Sequence, residues 1–583
     1  MKDNLALYLI LVLGLVIRLY GVQFGLPGLN HADETIVVNH AIAYSAWDLN
    51  PHYFQVPPLV SYFLFFEYGV FYLIGRVFGF FGSIVDFQTL FFEDPTSFYL
   101  IGRITVGAIA GTASVFFVYI LGKNVFSNTV GIISAFFLAL TFMHVRNSHY
   151  IYFDITMILF LILTYIFIYK FLETGLRRNY VLAGCFAGIA IAVKYNAALI
   201  IAPLIIGHFI YYFTNKDSGK IKVVNSKIVL SLVFMVLTFI VLNPFCIIDM
   251  KFFLNSFLSQ AHSQTPQGFL HHLRHSLFQG LGVPLSVLCL TGFFYSFYKL
   301  SRKLIVFISF PLVYYLSTVV FSQQHARYVL PLIPFLLIFA AWFLESIIFR
   351  GGVPTSKAKI LITAASIMVV LPTGIKSVYS DYIFSKKDTR TLAKEWIEDK
   401  IPYGTKIAID HNLHAPKLYQ SREQLEDKLN YVSKIKIVNI FGKCVLEKRL
   451  SPAQEKGIRL LISIVGKTPY YNLYFPIKEG TDPSSEFLFA RPVIPFEYNN
   501  LRNNGIEYVI ATNQGILRNN EELFLDLERK GKIVARFTPY KDKERKFSVS
   551  NVTRTGGPLK SEELYARERN GEIIYIYKLD SRN

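Results

Sequence analysis

Long apolar segments recur through the first two thirds of this chain, each closed by a short polar link, and that spacing leaves little choice of fold. Segments of spanning length lie near 5–20, 99–122, 129–145, 155–172, 179–196, 197–213, 228–245, 277–298, 304–321, 328–349 and 359–378. A bilayer crossing needs about 20 predominantly apolar residues in a helix. Inside lipid only a helix or a closed barrel satisfies its own backbone groups. The expected fold is therefore a polytopic α-helical membrane protein with about eleven transmembrane helices. The pattern changes near residue 380, so 1–378 reads as a transmembrane domain and 380–583 as a soluble α/β domain.

The formal charge of +19 could suggest nucleic acid, but that requires a basic face carrying stacking aromatics. Here the cations sit in short links instead: Lys123; Lys170, Arg177 and Arg178; Lys216, Lys220, Lys222 and Lys227; Lys299, Arg302 and Lys303; Arg350, Lys357 and Lys359. Successive clusters are separated by two spans, so all fall on one side, which the positive-inside rule makes cytoplasmic. The four cysteines are far apart and suggest neither a disulfide framework nor a zinc site. The first segment retains Arg18 and lacks a small-residue cleavage site, so it reads as a retained anchor with a cytoplasmic N-terminus.

Leu59 to Phe80 is apolar enough to span, yet the links on both sides, 21–58 and 82–98, contain no Lys or Arg. The segment also carries Glu67, and a carboxylate at mid-bilayer costs roughly 2.5–3.5 kcal/mol on insertion scales. It is expected to lie at the outer interface, as one of several interfacial helices in the first outer loop. Polar residues of mixed type then collect on the outer side, in 21–98, 146–154, 194–196, 243–276 and 322–328.

Within that outer set, Asp33 and Glu34 follow the first span in a stretch free of Lys and Arg. A carboxylate at the lipid boundary can take a proton from a hydroxyl or hold a cation; a plain acidic first turn of a helix has the same appearance. Arg146, His149, Tyr150 and Asp154 share one turn between two spans, where Asp154 could equally cap the helix that follows. Lys194, beside Tyr195, and Arg327, beside His325, are cations on the side where cations are scarce. Snorkelling anchors would look alike, but an anionic ligand gives them a reason: Arg offers a fork to phosphate and Lys a point charge. His262, His271, His272 and His275 lie in one outer loop, with His271 and His275 on one helical face, but no carboxylate stands nearby to complete a metal site.

Taken in order, these residues resemble a known family. Arg18-Leu19-Tyr20, Gly25-Leu26-Pro27-Gly28, Asp33-Glu34, Asp48-Leu49-Asn50-Pro51-His52 and Pro57-Pro58-Leu59 are similar to motifs of the GT-C membrane glycosyltransferases. So are Tyr99-Leu100-Ile101-Gly102-Arg103, Ser148-His149-Tyr150 with Asp154, Lys194-Tyr195-Asn196 and Arg327-Tyr328-Val329-Leu330-Pro331. The resemblance is to the branch of protein O-mannosyltransferases and aminoarabinose transferases, glycosyltransferase family 39, and covers about residues 1–345. It implies a GT-C fold and a polyprenyl-phosphate-linked sugar as donor, used on the outer face of the cell membrane with inversion. The acceptor would be a glycan, lipid or protein hydroxyl. By resemblance Asp33 is the catalytic base, Glu34 and Asp154 assist, and Lys194 and Arg327, with His325, hold the donor phosphate. Arg146, His149, Tyr150, Tyr195 and His262 would contact substrate. Two positions depart from the pattern: Val56 stands where aminoarabinose transferases usually place a phosphate-binding Lys, and Ala32 where nearer relatives have Pro. No Trp-Trp-Asp motif occurs, against an asparagine-linked oligosaccharyltransferase.

No Gly-rich phosphate loop is present and no cofactor is firmly expected, although Asp33, Glu34 and Asp154 could converge on a divalent cation. Two other functions fit a multi-spanning chain. One is a surface-glycan polymerase or ligase using a diphosphate-linked donor. The other is an ion-coupled secondary transporter, which would place its acids at the midplane and often show internal repeats. In the soluble part, strands are expected at 406–410, 436–440, 459–463, 507–511 and 573–577, with helices at 394–401 and 521–530.

Overall fold

The computed structural model describes the chain except residues 1, 29–30, 216–225, 263–269, 322–324, 350–354, 410–413, 433–435, 439–443, 448–451, 466–467, 478–492, 496, 514–520, 546–559 and 581–583. Among the described residues, seven helices are long and apolar enough to cross a membrane, eight if one bent pair counts as a single span. Shorter apolar helices cover Leu5–Leu19, Asn128–Leu140 and Ser226–Leu242. Each apolar segment of the sequence is helical, with two departures. The segment 277–298 is broken at Gly282, where His272–Leu281 and Val283–Tyr298 meet at 119°. Gly282 takes φ +78, which favours a residue without Cβ, and Pro284 withholds a backbone N–H just beyond it. Asn128–Leu140 stops at Thr141, whose extended backbone starts the short helix Phe142–Asn147.

The N-terminal region holds four helices: α1 (Lys2–Leu19), α2 (Ala32–Ala43), α3 (Leu59–Val77) and α4 (Ile84–Glu93). The start of α4 is fixed by a reciprocal capping box between Ser83 and Asp86. By length and composition α3 qualifies as a span, where an interfacial helix was expected. Its Glu67 is half-buried and accepts a hydrogen bond from Thr105 Oγ1 at 3.0 Å, which answers part of the cost of a carboxylate at that depth. The helix after α4 runs from Thr96 to Val125 and contains a π-helical stretch at Arg103–Ile109. Such widened turns recur at functional sites, and this one starts on a buried arginine.

The last long helix, Ser356–Phe384, leads into the C-terminal part through Asp388, which caps Thr389–Lys400 by accepting from the Arg390 N–H. The strands there are β1 (Lys406–Ile409), β2 (Tyr419–Gln420), β3 (Lys436–Val438), β4 (Cys444–Glu447), β5 (Tyr470–Ile477), β6 (Val493–Pro495), β7 (Tyr508–Thr512), β8 (Lys532–Phe537) and β9 (Ile574–Lys578). The main sheet runs β2-β5-β1-β7-β9-β8 with β6 against β5, while β3 and β4 form a separate pair. It is parallel from β2 through β7 and antiparallel at β9 and β8. Consecutive buried residues in β1 (Ile407, Ala408, Ile409) and β7 (Val509, Ile510, Ala511) are what a strand covered on both faces requires.

One expected strand is wrong. Residues 459–463 lie within the helix Pro452–Ile464, where Arg459 pairs with Glu455 one turn back. A short apolar run does not by itself distinguish strand from helix. This part rests on α4, with Tyr419 OH donating to Phe92 O at 3.0 Å. Tyr379 OH, on the last long helix, donates to Arg567 O at 2.8 Å.

Candidate active site

Asp33 and Glu34 occupy the first turn of α2, where carboxylates suit the helix dipole. Successive residues of a helix point about 100° apart, and the two carboxylates separate accordingly. Glu34 turns inward and is fully buried. Arg103 grips it with both arms of its guanidinium, Nε to Oε1 at 2.8 Å and Nη2 to Oε2 at 2.7 Å. Oε1 also accepts from the Ile151 N–H at 3.0 Å. Arg103 donates further to the carbonyls of Val22 and Phe24 and lies over the Phe24 ring at 3.9 Å. Glu34 thereby ties α2, the end of α1 and the 146–154 turn to one buried cation.

Asp33 turns toward the open side. Its side chain keeps 27% of its exposure and lies 3.0 Å from Arg327 Nη1. Arg327 itself stands with its guanidinium over the Tyr152 ring, 4.7 Å from the centroid. Lys194 Nζ also lies over that ring, at 5.5 Å, and over Tyr328 at 5.2 Å. It donates to Asp154 Oδ1 at 2.8 Å. Two ion pairs thus meet around one tyrosine. The second is almost sealed, with Asp154 at 1% and Lys194 at 11% side-chain exposure. Within it Asp154 Oδ2 is buried without a hydrogen-bond partner, as is Arg327 Nε in the first. Unpaired buried polar groups are costly, and here both belong to the same constellation.

The other expected residues divide. Tyr150 is buried, with its ring stacked on His31 at 4.2 Å, next to the Asp33 turn. Burial holds the His31 pKa below the ordinary imidazole value, against the raising fields of Glu34 and Asp33. His325 lies 6.0 Å from the Tyr328 ring. His149 is placed elsewhere: buried, its ring nitrogens reach Val145 O and Tyr20 O, both at 3.0 Å, and it stands 3.6 Å from Asp381. Burial lowers its pKa to about 4, against the two carbonyl contacts. Arg146 turns toward the last long helix, donating to Ser380 Oγ at 3.3 Å beside the Phe384 ring. Tyr195 packs among Phe239, Phe253 and Phe257. The His262 side chain lies outside the described residues.

Asp33, Glu34 and Asp154, the acids that could converge on a divalent cation, do not share one partner. Each carboxylate faces a different cationic side chain, respectively Arg327, Arg103 and Lys194. Among the described residues, no group of three or more His, Cys, Asp or Glu side chains has metal-binding geometry. His271 and His275 stand with ring centroids 5.1 Å apart.

Tyr152, Tyr328, His31 and Arg103 join the site without having been singled out as chemical candidates. Each stands in or beside a motif that was, but an aromatic or an arginine near an apolar segment carries no mark of its partner. Arg103 had one available signal, since an arginine a few residues inside a 30-residue apolar helix needs a buried counter-charge.

Residues 97–246 match the family profile described as dolichyl-phosphate-mannose-protein mannosyltransferase. Among solved structures, ArnT from Cupriavidus metallidurans in the apo state aligns at TM-score 0.50 and 14% identity, over 92% of this chain and 97% of that one. The same protein bound to undecaprenyl phosphate aligns at 0.49 and 12%, over 98% and 97%. The archaeal oligosaccharyltransferase AglB from Archaeoglobus fulgidus, in complex with an inhibitory peptide and a dolichol-phosphate, aligns at 0.48 and 11%, over 97% and 77%. No curated protein sequence matches the chain. The fold is similar to that of ArnT, with apolar helices and a small C-terminal sheet domain.

Proposed function

We propose that this chain transfers a sugar from a polyprenyl-phosphate donor to an acceptor hydroxyl on the outer face of the cell membrane, with inversion and with Asp33 as base. The observation that carries the reading is the arrangement around Tyr152. A partly open carboxylate and two cations meet there, at the ends of helices long and apolar enough to cross a membrane. The match of residues 97–246 to mannosyltransferases that use a dolichyl-phosphate sugar supports the same donor class. In the reaction Asp33 takes the proton of the acceptor hydroxyl. The acceptor oxygen attacks the anomeric carbon from the face opposite the phosphate, and the C–O bond to the phosphate breaks. The phosphate leaves with the electron pair, its charge met by Arg327 and Lys194. Asp154 holds Lys194 in place, and Glu34 fixes the turn that carries Asp33.

Donor arrival also activates the base. A phosphate bound by Arg327 draws the guanidinium from Asp33 and leaves the carboxylate free for the acceptor. We read the N-terminus as cytoplasmic, residues 1–378 as the membrane catalytic domain and residues 380–583 as an extracytoplasmic domain above it. The test is mass analysis of lipid-linked sugars and surface glycans in a strain lacking the protein, paired with release of polyprenyl phosphate from its glycosylated form by the purified enzyme. Accumulation of one polyprenyl-phosphate sugar with loss of one surface modification is expected; unchanged pools and no release refute the assignment.

A further inference from the structure

We infer that Tyr152 is a positioning residue: its ring fixes Arg327 and Lys194 where a donor phosphate can bridge them, independently of the carboxylates paired with those cations. The inference rests on the donor reading above. The geometry has three parts. Arg327 and Lys194 lie over one ring, at 4.7 and 5.5 Å from its centroid. Each is separately paired with an acid, Arg327 with Asp33 at 3.0 Å and Lys194 with Asp154 at 2.8 Å. The ring belongs to the residue before Phe153–Thr174, the helix whose first turn carries Asp154.

A phosphate entering this site competes with both carboxylates for the same two cations. Were the carboxylates the only hold, exchanging partners would release a flexible lysine and a long arginine, and the ordering cost would fall on the donor. The face of an aromatic ring attracts a cation through its quadrupole and carries no net charge to compete with phosphate. Tyr152 therefore retains the cations while their anionic partners change. A core tyrosine would look similar in burial alone; two cations on one ring, each with its own carboxylate, is what that simpler role leaves unexplained. Tyr328 shares the load on Lys194, at 5.2 Å, whereas Arg327 has Tyr152 as the ring described beneath it.

The test is binding of undecaprenyl phosphate to the full-length protein in lipid nanodiscs, measured for the parent, Tyr152→Phe, Tyr152→Leu and Arg327→Gln. Tyr152→Phe keeps the ring and is expected to bind within about threefold of the parent. Tyr152→Leu is expected to weaken binding about tenfold, equivalent to ~1.4 kcal/mol. Phenylalanines with increasing fluorination, incorporated at position 152, preserve shape while draining the ring face, so affinity should fall stepwise even if the leucine variant does not fold. Flat affinity across the fluorinated series, with Arg327→Gln still weakened, overturns the role of Tyr152 and leaves the donor reading standing. A parent that binds no undecaprenyl phosphate overturns both.

Discussion

Replacing Asp33 by asparagine should move turnover and donor affinity in opposite directions. Asparagine keeps the size of the side chain and its place at the start of α2 but cannot accept the acceptor proton. General-base catalysis contributes about 10²–10⁴-fold, so kcat should fall by that factor, roughly 3–5 kcal/mol of barrier. Binding should change the other way. Arg327 is held by Asp33 at 3.0 Å, with 13% and 27% of the two side chains exposed. An ion pair that solvent still reaches contributes about 0.2–1 kcal/mol, and the asparagine variant removes that competition with phosphate. Undecaprenyl phosphate should then bind equally or up to about fivefold more tightly. The assay pairs titration calorimetry in nanodiscs with single-turnover release of polyprenyl phosphate. Turnover within tenfold of the parent would remove Asp33 as the base. Weaker donor binding would mean that Asp33 organises Arg327 for the ligand, and the release step argued above would be wrong.

Three further outcomes follow from the same geometry. Glu34→Gln leaves Arg103 buried against a neutral partner and should cost about 3–5 kcal/mol of stability, read as a lower unfolding temperature in detergent. The double variant Glu34→Met/Arg103→Met removes both charges but takes the side-chain partners from the Ile151 N–H and the Val22 and Phe24 carbonyls, so it should recover only part of that loss, and a double variant less stable than Glu34→Gln refutes the ion-pair account. His149 has a folded pKa of about 4 against an ordinary 6.5, so the unfolded chain takes the proton first as pH falls. Its contribution is fully present above pH 6.5 and is lost toward pH 4, by roughly 3 kcal/mol; His149→Gln should flatten unfolding temperature against pH in that window, and an unchanged slope refutes the assignment. For topology, a cysteine replacing Ser218 in a background without native cysteines should react with an impermeant reagent only after the membrane is opened, whereas one replacing Ser561 should react in intact cells. Labelling of position 218 from outside inverts the orientation.

The helices were legible because spanning length and apolarity are properties of local sequence, and the expected apolar segments are helical apart from the breaks at Thr141 and Gly282. The breaks were less visible. Gly282-Val283-Pro284 sits inside a continuous apolar run, and the 119° bend depends on a φ of +78 that composition does not report. Residues 459–463 illustrate the opposite error: their short apolar run was read without the Glu455–Arg459 pair that favours the helix. The C-terminal sheet order joins strands far apart in sequence, such as β7 with β9, and pairing of that range has no local signature.

At the site, residue type was legible and direction was not. Asp33 and Glu34 are adjacent and chemically alike, and proximity in sequence suggested shared work. Helical geometry sends neighbours to different faces, so one acid could face Arg327 only if the other entered the protein, where it needed a partner. Arg103, buried in an apolar helix, had the matching need. The two requirements satisfy each other in a single ion pair at 2.7 Å. That pair fixes the rotation of α2 about its axis, and with it the face on which Asp33 meets Arg327. The buried acid therefore directs the exposed one: shifting Glu34 by one position along α2 would turn Asp33 away from Arg327 without altering either charge.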